Sequence, residues 1–240
     1  MRVAVLTWNL YHGRAIPPAG RGLLPDFAAA LGGWEWDVAL LQEVPPWWPP
    51  VLARAAGADQ RLVMTSRNQL LPLRRALATR WPDPMRSGGG GANAILVRGA
   101  TIAEHRGLPL CRLPERRWLH AVRLSSGIWA ANLHATAHHP ARAAREAARA
   151  AATTLAWAGE ANGAATDVDA FDHLHGGQKR PALLGGDFNL RRLELDGLRH
   201  AGGHDVDHVF ATGLTPVGDA QTLDSGRLSD HRPVIVVLEG

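Results

Sequence analysis

The sequence predicts an α/β fold in which packed β-sheets are flanked by helices. Three observations carry that prediction. Short apolar runs bounded by Gly, Pro, Asn and Asp recur along the chain and read as many buried strands. Only one stretch, Ala141–Ala158, has the length and alanine content of an unmistakable helix. With few helices between so many strands, packed sheets fit better than a repeating βαβ unit. No internal repeat is apparent, and nothing divides the 240 residues cleanly, so one domain spanning residues 1–240 is expected.

The elements follow in order. Val3–Thr7 is apolar and β-branched and reads as a strand ending at Trp8-Asn9. Asp26 is placed to cap a short helix, Phe27–Leu31. Val38–Gln42 is a second continuous apolar strand, ending at Glu43. Pro45-Pro46-Trp47-Trp48-Pro49-Pro50 forces a turn, because proline fixes φ and lacks a donor, and a helix to about Ala56 follows. Arg61–Thr65 reads as a strand. Ser66–Arg86 is Arg-rich, carries Trp81 between prolines, and belongs at the surface with no element assigned. The Gly88–Gly91 run leads into a strand at Asn93–Val97. Thr101–His105, Trp118–Leu124 and Ile128–Leu133 are strands at hairpin-like spacing.

Pro140 opens the long helix, whose polar side carries Arg142, Arg145, Glu146 and Arg149. Asn162–Lys179 is a long loop. Pro181–Gly185 and Val206–Phe210 are strands, Leu190–His200 is irregular or briefly helical, and Val234–Leu238 closes the chain.

Composition narrows the classes. Cys111 is the lone cysteine, so a disulfide framework and a thiolate zinc cluster are excluded. No apolar run approaches a membrane span, and the N-terminus enters a strand without the pattern of a signal peptide. A cytoplasmic monomer is the expectation. Residues 61–123 hold 12 basic and 3 acidic groups, whereas the flanks together hold 14 basic and 19 acidic ones. A localised positive segment fits either a polyanionic substrate or a solvated basic face. Only Lys179 among the 26 basic residues is lysine, an arginine bias that a GC-rich genome also produces.

The chemistry sits at the strand ends. Asn9, Glu43, Asp187 with Asn189, and Asp230 with His231 each lie beside an apolar run. Charge at the end of a buried strand is costly to desolvate unless something offsets it. Carboxylates and amides gathered on one rim suit a hard cation such as Mg²⁺. Taken singly, each motif has a bland reading. Asp187-Phe188-Asn189 reads as an Asx-turn, Ser229-Asp230-His231 as a turn with a locally bonded imidazole, and Asp205–His208 as the start of a strand. His138-His139 and Asp172–His175 are more often incidental than ligands, and Trp48 and Trp81 are the tryptophans best placed among prolines to stack on bases.

In their order, Thr7-Trp8-Asn9, Leu41-Gln42-Glu43, Asn132-Leu133-His134, Gly186–Asn189, Asp207–Phe210 and Ser229–His231 resemble the endonuclease/exonuclease/phosphatase superfamily over residues 3–238. The resemblance implies a two-sheet α/β sandwich, the deoxyribonuclease-like four-layer fold, with the site at one edge. It also implies Mg²⁺ or Mn²⁺ and hydrolysis of a phosphodiester, most readily in DNA, with an inositol-phosphate or sphingomyelin type of substrate as the alternative. On this resemblance Glu43 matches the principal metal ligand, with Asn9 and Asp230 beside the metal. Asp187 matches the residue that directs the attacking water, and Asn189 the amide holding water and phosphate. His231 matches the imidazole on the phosphate, Asp207 its buttress, and His134 the second imidazole. Arg117 resembles the Arg that opens the following strand. Arg74, Arg75, Arg117 and Trp81 are the expected substrate contacts. Tyr11 departs from the acid that apurinic endonucleases often carry two residues after the first Asn, and His134 replaces their Tyr.

Overall fold

The computed structural model describes residues 1–66, 69–83, 91–113, 115–160 and 180–240. It contains two mixed sheets. The first is ordered β11(Thr215–Pro216), β13(Val234–Glu239), β1(Arg2–Asn9), β2(Val38–Val44), β4(Ala92–Val97), β3(Asp59–Met64), with β12(Gln221–Thr222) also paired to β13. The second runs β5(Ile102–Cys111), β6(Arg117–Leu124), β7(Trp129–His134), β8(Ala182–Asp187), β10(Asp207–Thr212), β9(Arg199–His204). Alternation along the strands decides the layers. Val3, Val5, Val38, Leu40, Ile95 and Val97 meet Val122, Ala130, Leu183 and Val209 between the sheets. The other face of the first sheet packs on α1(Leu24–Gly33) and α2(Pro49–Ala56), centred on Trp8, Phe27, Leu31 and Leu52. The other face of the second packs on α4(Pro140–Gly159) through Ala143, Ala147, Ala150 and Ala151. The small alanines let this helix lie close to the sheet. The result is the helix–sheet–sheet–helix arrangement expected from the sequence.

Each sheet has one parallel pair near its middle, β1 with β2 and β7 with β8. A parallel pair needs a crossover, supplied by α1 in the first case and α4 in the second. Two βαβ units are therefore present, although no repeat is visible in the sequence. In register, Asn9 lies beside Gln42 and His134 beside Asp187, so both pairs end at the same rim. The antiparallel partners bring Asp207 opposite Asp187, and Met64 opposite Ala92 with Val44 also opposite Ala92.

Several expectations are corrected. The segment at Ser66–Arg86 contains a helix, α3(Leu71–Arg80), with Pro72 in its first turn and no buried residue. The strand from Thr101 extends to Cys111. Residues 190–198 are irregular, the first of the two readings expected, and the correction there is β9, which starts at Arg199 and whose Gly202-Gly203 carries no strand signal. Glu146 is not on a polar face: it is buried, and its carboxylate accepts from the Thr136 N–H and hydroxyl, both at 2.7 Å. Trp48 is buried against Phe27, ring centroids 5.4 Å apart, and is unavailable for stacking. Trp81 remains half exposed. The loop at Asn162–Lys179, most of the glycine run, Arg67, Arg86 and the Asp172–His175 histidines lie outside the described residues. Among the described residues no helix is long and apolar enough to cross a membrane.

Candidate active site

The polar strand ends converge on one cleft of about 290 Å³. Asn9 and Glu43 enter from the first sheet, His134, Asp187 and Asn189 from the second, and Asp230 and His231 from the turn before β13. Local backbone explains how each arrives. Glu43 sits in the left-handed region, φ 50°, where the β2–β4 register shifts. A bulge of this kind re-aims a side chain that regular alternation would place elsewhere. Gly186 is required beneath Asp187: at φ 140°, a Cβ there would lie 1.9 Å from the Leu133 carbonyl oxygen. Asn189 and Ser229 are also left-handed, at φ 53° and 65°. Such outliers gather where surrounding structure over-determines them.

Asp187 is buried and firmly held. Its Oδ1 accepts from the Asn189 backbone N–H at 2.9 Å, which is the Asx-turn expected from the sequence. Its Oδ2 accepts from Asn9 Nδ2 at 3.0 Å. The turn and the cleft therefore use different oxygens of one carboxylate. Burial pushes its pKa up, opposed first by the charge of His231 and then by the bonds from Asn9 and Asn189. Asn189 donates through Nδ2 to the Ala135 carbonyl at 3.0 Å, which fixes its amide plane.

The two imidazoles differ in character. His231 Nδ1 is 2.7 Å from Asp207 Oδ2, and its Nε2 lies 3.9 Å from Asp187 Oδ2. Burial alone would lower its pKa, but the contact with Asp207 wins and raises it to about 9. Asp207 is itself pushed up to about 7, burial outweighing the bond from His231. The turn is braced: Ser229 Oγ accepts from the His231 N–H at 3.1 Å and donates to the Asn9 carbonyl at 2.6 Å. Trp8 Nε1 donates to the His231 carbonyl at 3.1 Å. His134 has Nε2 at 3.5 Å from Asp187 and 3.9 Å from Glu43. Its pKa falls well below the usual value because it is buried, with Arg117 and His231 adding repulsion.

Behind the cleft a polar bridge spans the sheets. Gln42 Nε2 donates to Asn132 Oδ1 at 2.8 Å, and Asn132 Nδ2 donates to the carbonyls of Leu41 and Ala94. This pair sits one residue before Glu43 and two before His134, so it sets the spacing across which those groups face each other.

The other expected residues lie around the cleft. Arg117 opens β6, pairs with Glu115, and is close enough for its charge to act on Glu43, His134 and Asp187. Arg74, Arg75 and Trp81 do not line the cleft; the arginines belong to α3 and Trp81 ends it, in the connection that leaves the same rim between β3 and β4. Arg75 lies over the Trp47 ring at 6.0 Å. His138 and His139 are exposed and join no group of three potential metal-binding side chains among the described residues.

Sequence reasoning missed Tyr11, His12 and Arg14, which complete the cleft. His12 Nε2 lies 3.2 Å from Glu43 Oε2. The signal was the turn itself. Tyr11, His12 and Gly13 are all left-handed, and a Cβ on Gly13 would overlap the Trp48 ring at 2.2 Å.

One group of side chains among the described residues brings potential metal-binding atoms within 4.8 Å of one another: Asp187, Asp207 and His231. Asp207 and His231 already bond each other; the cleft also carries the carboxylates of Glu43 and Asp230, and the Asn9 amide, whose Oδ1 accepts from the Tyr11 N–H at 2.9 Å.

Comparisons with known proteins identify the family and the fold. A family model, the Endonuclease/Exonuclease/phosphatase family, matches residues 6–231. No curated protein matches the chain. Among solved structures, an endonuclease/exonuclease/phosphatase from Beutenbergia cavernae aligns at TM-score 0.65 and 18% identity, over 99% of this chain and 71% of that one. A mannosyl-6-phosphatase from Bacteroides thetaiotaomicron aligns at 0.65 and 16%, over 99% and 100%. TDP2 from Caenorhabditis elegans aligns at 0.61 and 17%, over 100% and 75%. All share the two-sheet fold. Because the family match starts within the first strand and ends on His231, spanning every motif of the rim, the chain belongs to the endonuclease/exonuclease/phosphatase family of hydrolytic phosphoesterases.

Proposed function

We propose that this chain hydrolyses phosphodiester bonds with the help of Mg²⁺ or Mn²⁺, and that its substrate is nucleic acid, DNA foremost. The observation that carries the reading is the pairing, in one cleft, of a buried carboxylate held by two amides with an imidazolium held by a second carboxylate.

The donor set fits a hard divalent cation. Burial pushes the Glu43 pKa up, and the charges of Asp187 and Asp230 push it further, against only the pull of His12 and Arg117. Three carboxylates, Glu43, Asp187 and Asp230, line the cleft, and their oxygens are donors of the kind such ions prefer. Glu43, Asn9 and Asp230 would hold the ion. When bound, it supplies a positive charge that stabilises the phosphoryl group and lowers the pKa of water.

The chain's own residues do the rest. Asp187 orients a water for in-line attack on phosphorus and takes its proton, which its raised pKa favours. Asn189, with its amide plane fixed, holds the phosphate. His231, charged through neutral pH, donates to the phosphate and stabilises the oxyanion that builds in the transition state. His134, kept neutral, presents Nε2 without adding a second cation beside His231. The P–O bond breaks, leaving a phosphomonoester and an alcohol. Asp207 touches only His231 and is a positioning residue.

The basic helix α3 supports the choice of nucleic acid. It leaves the rim that carries Glu43, its arginines are at the surface, and no residue of it is buried in a core. Phosphate contacts of this kind position a backbone without reading its sequence. A second reading, a small-molecule or lipid phosphate, is favoured by the modest cleft volume of 290 Å³.

The test is Glu43→Gln against wild type on single-stranded, duplex and abasic DNA, RNA, inositol phosphate and sphingomyelin, with Mg²⁺, Mn²⁺ and EDTA. The variant should stay folded and lose roughly a hundred-fold or more in turnover. Unchanged metal-dependent turnover would remove Glu43 from the metal site, and activity confined to the small phosphates would replace nucleic acid as the substrate.

A further inference from the structure

Arg14 is unlike Arg98 and Arg117, two other arginines packed into the described part of the fold. Arg98 donates to the carbonyls of Ala56, Trp34 and Leu31 at 2.7–2.8 Å and lies over the Trp36 ring. Arg117, 8% exposed, pairs with Glu115. Arg98 is satisfied within the fold, and Arg117 has its charge paired by Glu115, although its Nε is buried without a partner. Arg14 is 7% exposed, lines the cleft, and among the described residues forms no ion pair and no side-chain hydrogen bond. Its Nε is buried without a partner. The guanidinium lies over the Tyr11 ring, Cζ 4.6 Å from the centroid, a contact that orients it without neutralising it.

The backbone beneath is fixed. The Ser229 N–H donates to the Arg14 carbonyl at 2.8 Å, and the Ile16 N–H donates to the Arg227 carbonyl at 2.9 Å. Gly13, left-handed and pressed on Trp48, leaves the turn little room to move. A buried cation without a carboxylate is expensive unless a ligand supplies the counter-charge. Guanidinium is the side chain best matched to a phosphate, because its fork donates to two oxygens at once and it stays charged at every working pH. The cleft's carboxylates, Glu43, Asp187 and Asp230, repel an incoming phosphate, and His231 is the cation that faces them.

We propose that Arg14 is a phosphate-binding residue of this cleft, its guanidinium receiving an oxyanion of the substrate's phosphate. The proposal rests on the phosphoesterase reading of the same site and adds to it a residue that none of the rim motifs contains. Two substrates present this chemistry, a terminal phosphomonoester and an internal phosphodiester.

The experiment uses inorganic phosphate as the probe, with EDTA present so that binding through a metal does not contribute. Thermal unfolding and calorimetric titration are run on wild type, Arg14→Gln and Arg14→Lys. Phosphate should raise the unfolding temperature of wild type, and its affinity should fall roughly ten- to a hundred-fold in Arg14→Gln. Arg14→Lys, which keeps the charge and loses the fork, should recover part of it. Without phosphate, Arg14→Gln should melt no lower than wild type, because it removes an unpaired buried charge. Phosphate binding that is unaltered in Arg14→Gln overturns the proposal. So does a variant that melts lower while binding phosphate normally, which would make the Tyr11 contact structural.

Hydrolysis separates this proposal from the functional reading. KM should rise in Arg14→Gln for the substrate that reaches Arg14, and an oligonucleotide with a terminal phosphate beside one without tells which of the two it is. Phosphate binding through Arg14 in a protein that cleaves no phosphoester supports the anion site and breaks the functional reading. Active enzyme with unchanged KM for both oligonucleotides breaks the anion site and leaves the function standing.

Discussion

The two parallel strand pairs share one plan and one buried end, and differ in the residue that follows it. β1 and β2 bring Asn9 and Gln42 side by side, and β7 and β8 do the same for His134 and Asp187. On the first sheet a bulge pushes the next residue, Glu43, outward, and its side chain keeps 23% of its surface exposed. On the second sheet the chain turns at Asp187, and the His134 and Asp187 side chains are left 5% and 2% exposed. The wetter side presents a partly exposed carboxylate, an oxygen donor of the kind a hard cation takes. The drier side holds groups buried further, and on both sides burial and neighbouring charges set protonation. Identical topology therefore supplies two kinds of chemistry, and what separates them is one extra residue in one strand.

The largest expected effect falls on Asp187 and on His231, which faces it from the turn before β13. Asp187→Ala and His231→Ala should each lower turnover by roughly a hundred-fold or more, because they serve one chemical step. For the same reason the double variant should be little worse than the more damaging single one. Fully multiplicative losses in steady-state kinetics would mean that the two act independently.

A smaller effect sharpens the contrast between the imidazoles. The His231 pKa is raised, so its proton is bound more tightly in the folded chain. The stabilisation this brings is complete below the ordinary imidazole value and is lost as pH rises through about 9. Asp207 is pushed up by its own burial, so the two groups titrate as a coupled pair. Asp207→Asn removes the cause, and the alkaline limb of the pH–rate profile should move down by about one unit or more. His134→Gln should leave that limb in place, since His134 is already neutral. A profile unmoved by Asp207→Asn would show that the limb belongs to another group.

The smallest effect probes the surface beyond both sides. Replacing Arg74 and Arg75 with Ala should weaken DNA binding about equally across sequences and reduce the salt slope by about two units at most. Turnover at saturating DNA should change much less. Unaltered affinity and slope would make α3 a solvated face and move the small-phosphate reading ahead.

Most of the strands and the rim were legible because a buried strand must be apolar, and a polar residue at its end stands out against that background. Asn9, Glu43, Asp187 and His231 were found in this way. The Asx-turn at Asp187 was legible too, because Asp and Asn favour it locally. The βαβ units were not, since a crossover is defined by which strands pair and the two units share no visible sequence. β9 was missed because Gly202-Gly203 removes the side chains on which a strand signal depends.

What the sequence by itself determined is the set of groups and their order, since each is fixed by local preference at a strand end. Only the tertiary structure decided how they are charged and which neighbours they meet. The carboxylate on His231 comes from a residue 24 positions away, and the amide on Asp187 from one 178 away. Glu146 and Trp48 changed from surface to core for the same reason: burial belongs to the packed chain, and no window of sequence contains the residues that cover them. Arg14 is the clearest case. An arginine in a turn carries no signal of its own, and its significance lies in the carboxylate that the folded chain does not bring to it.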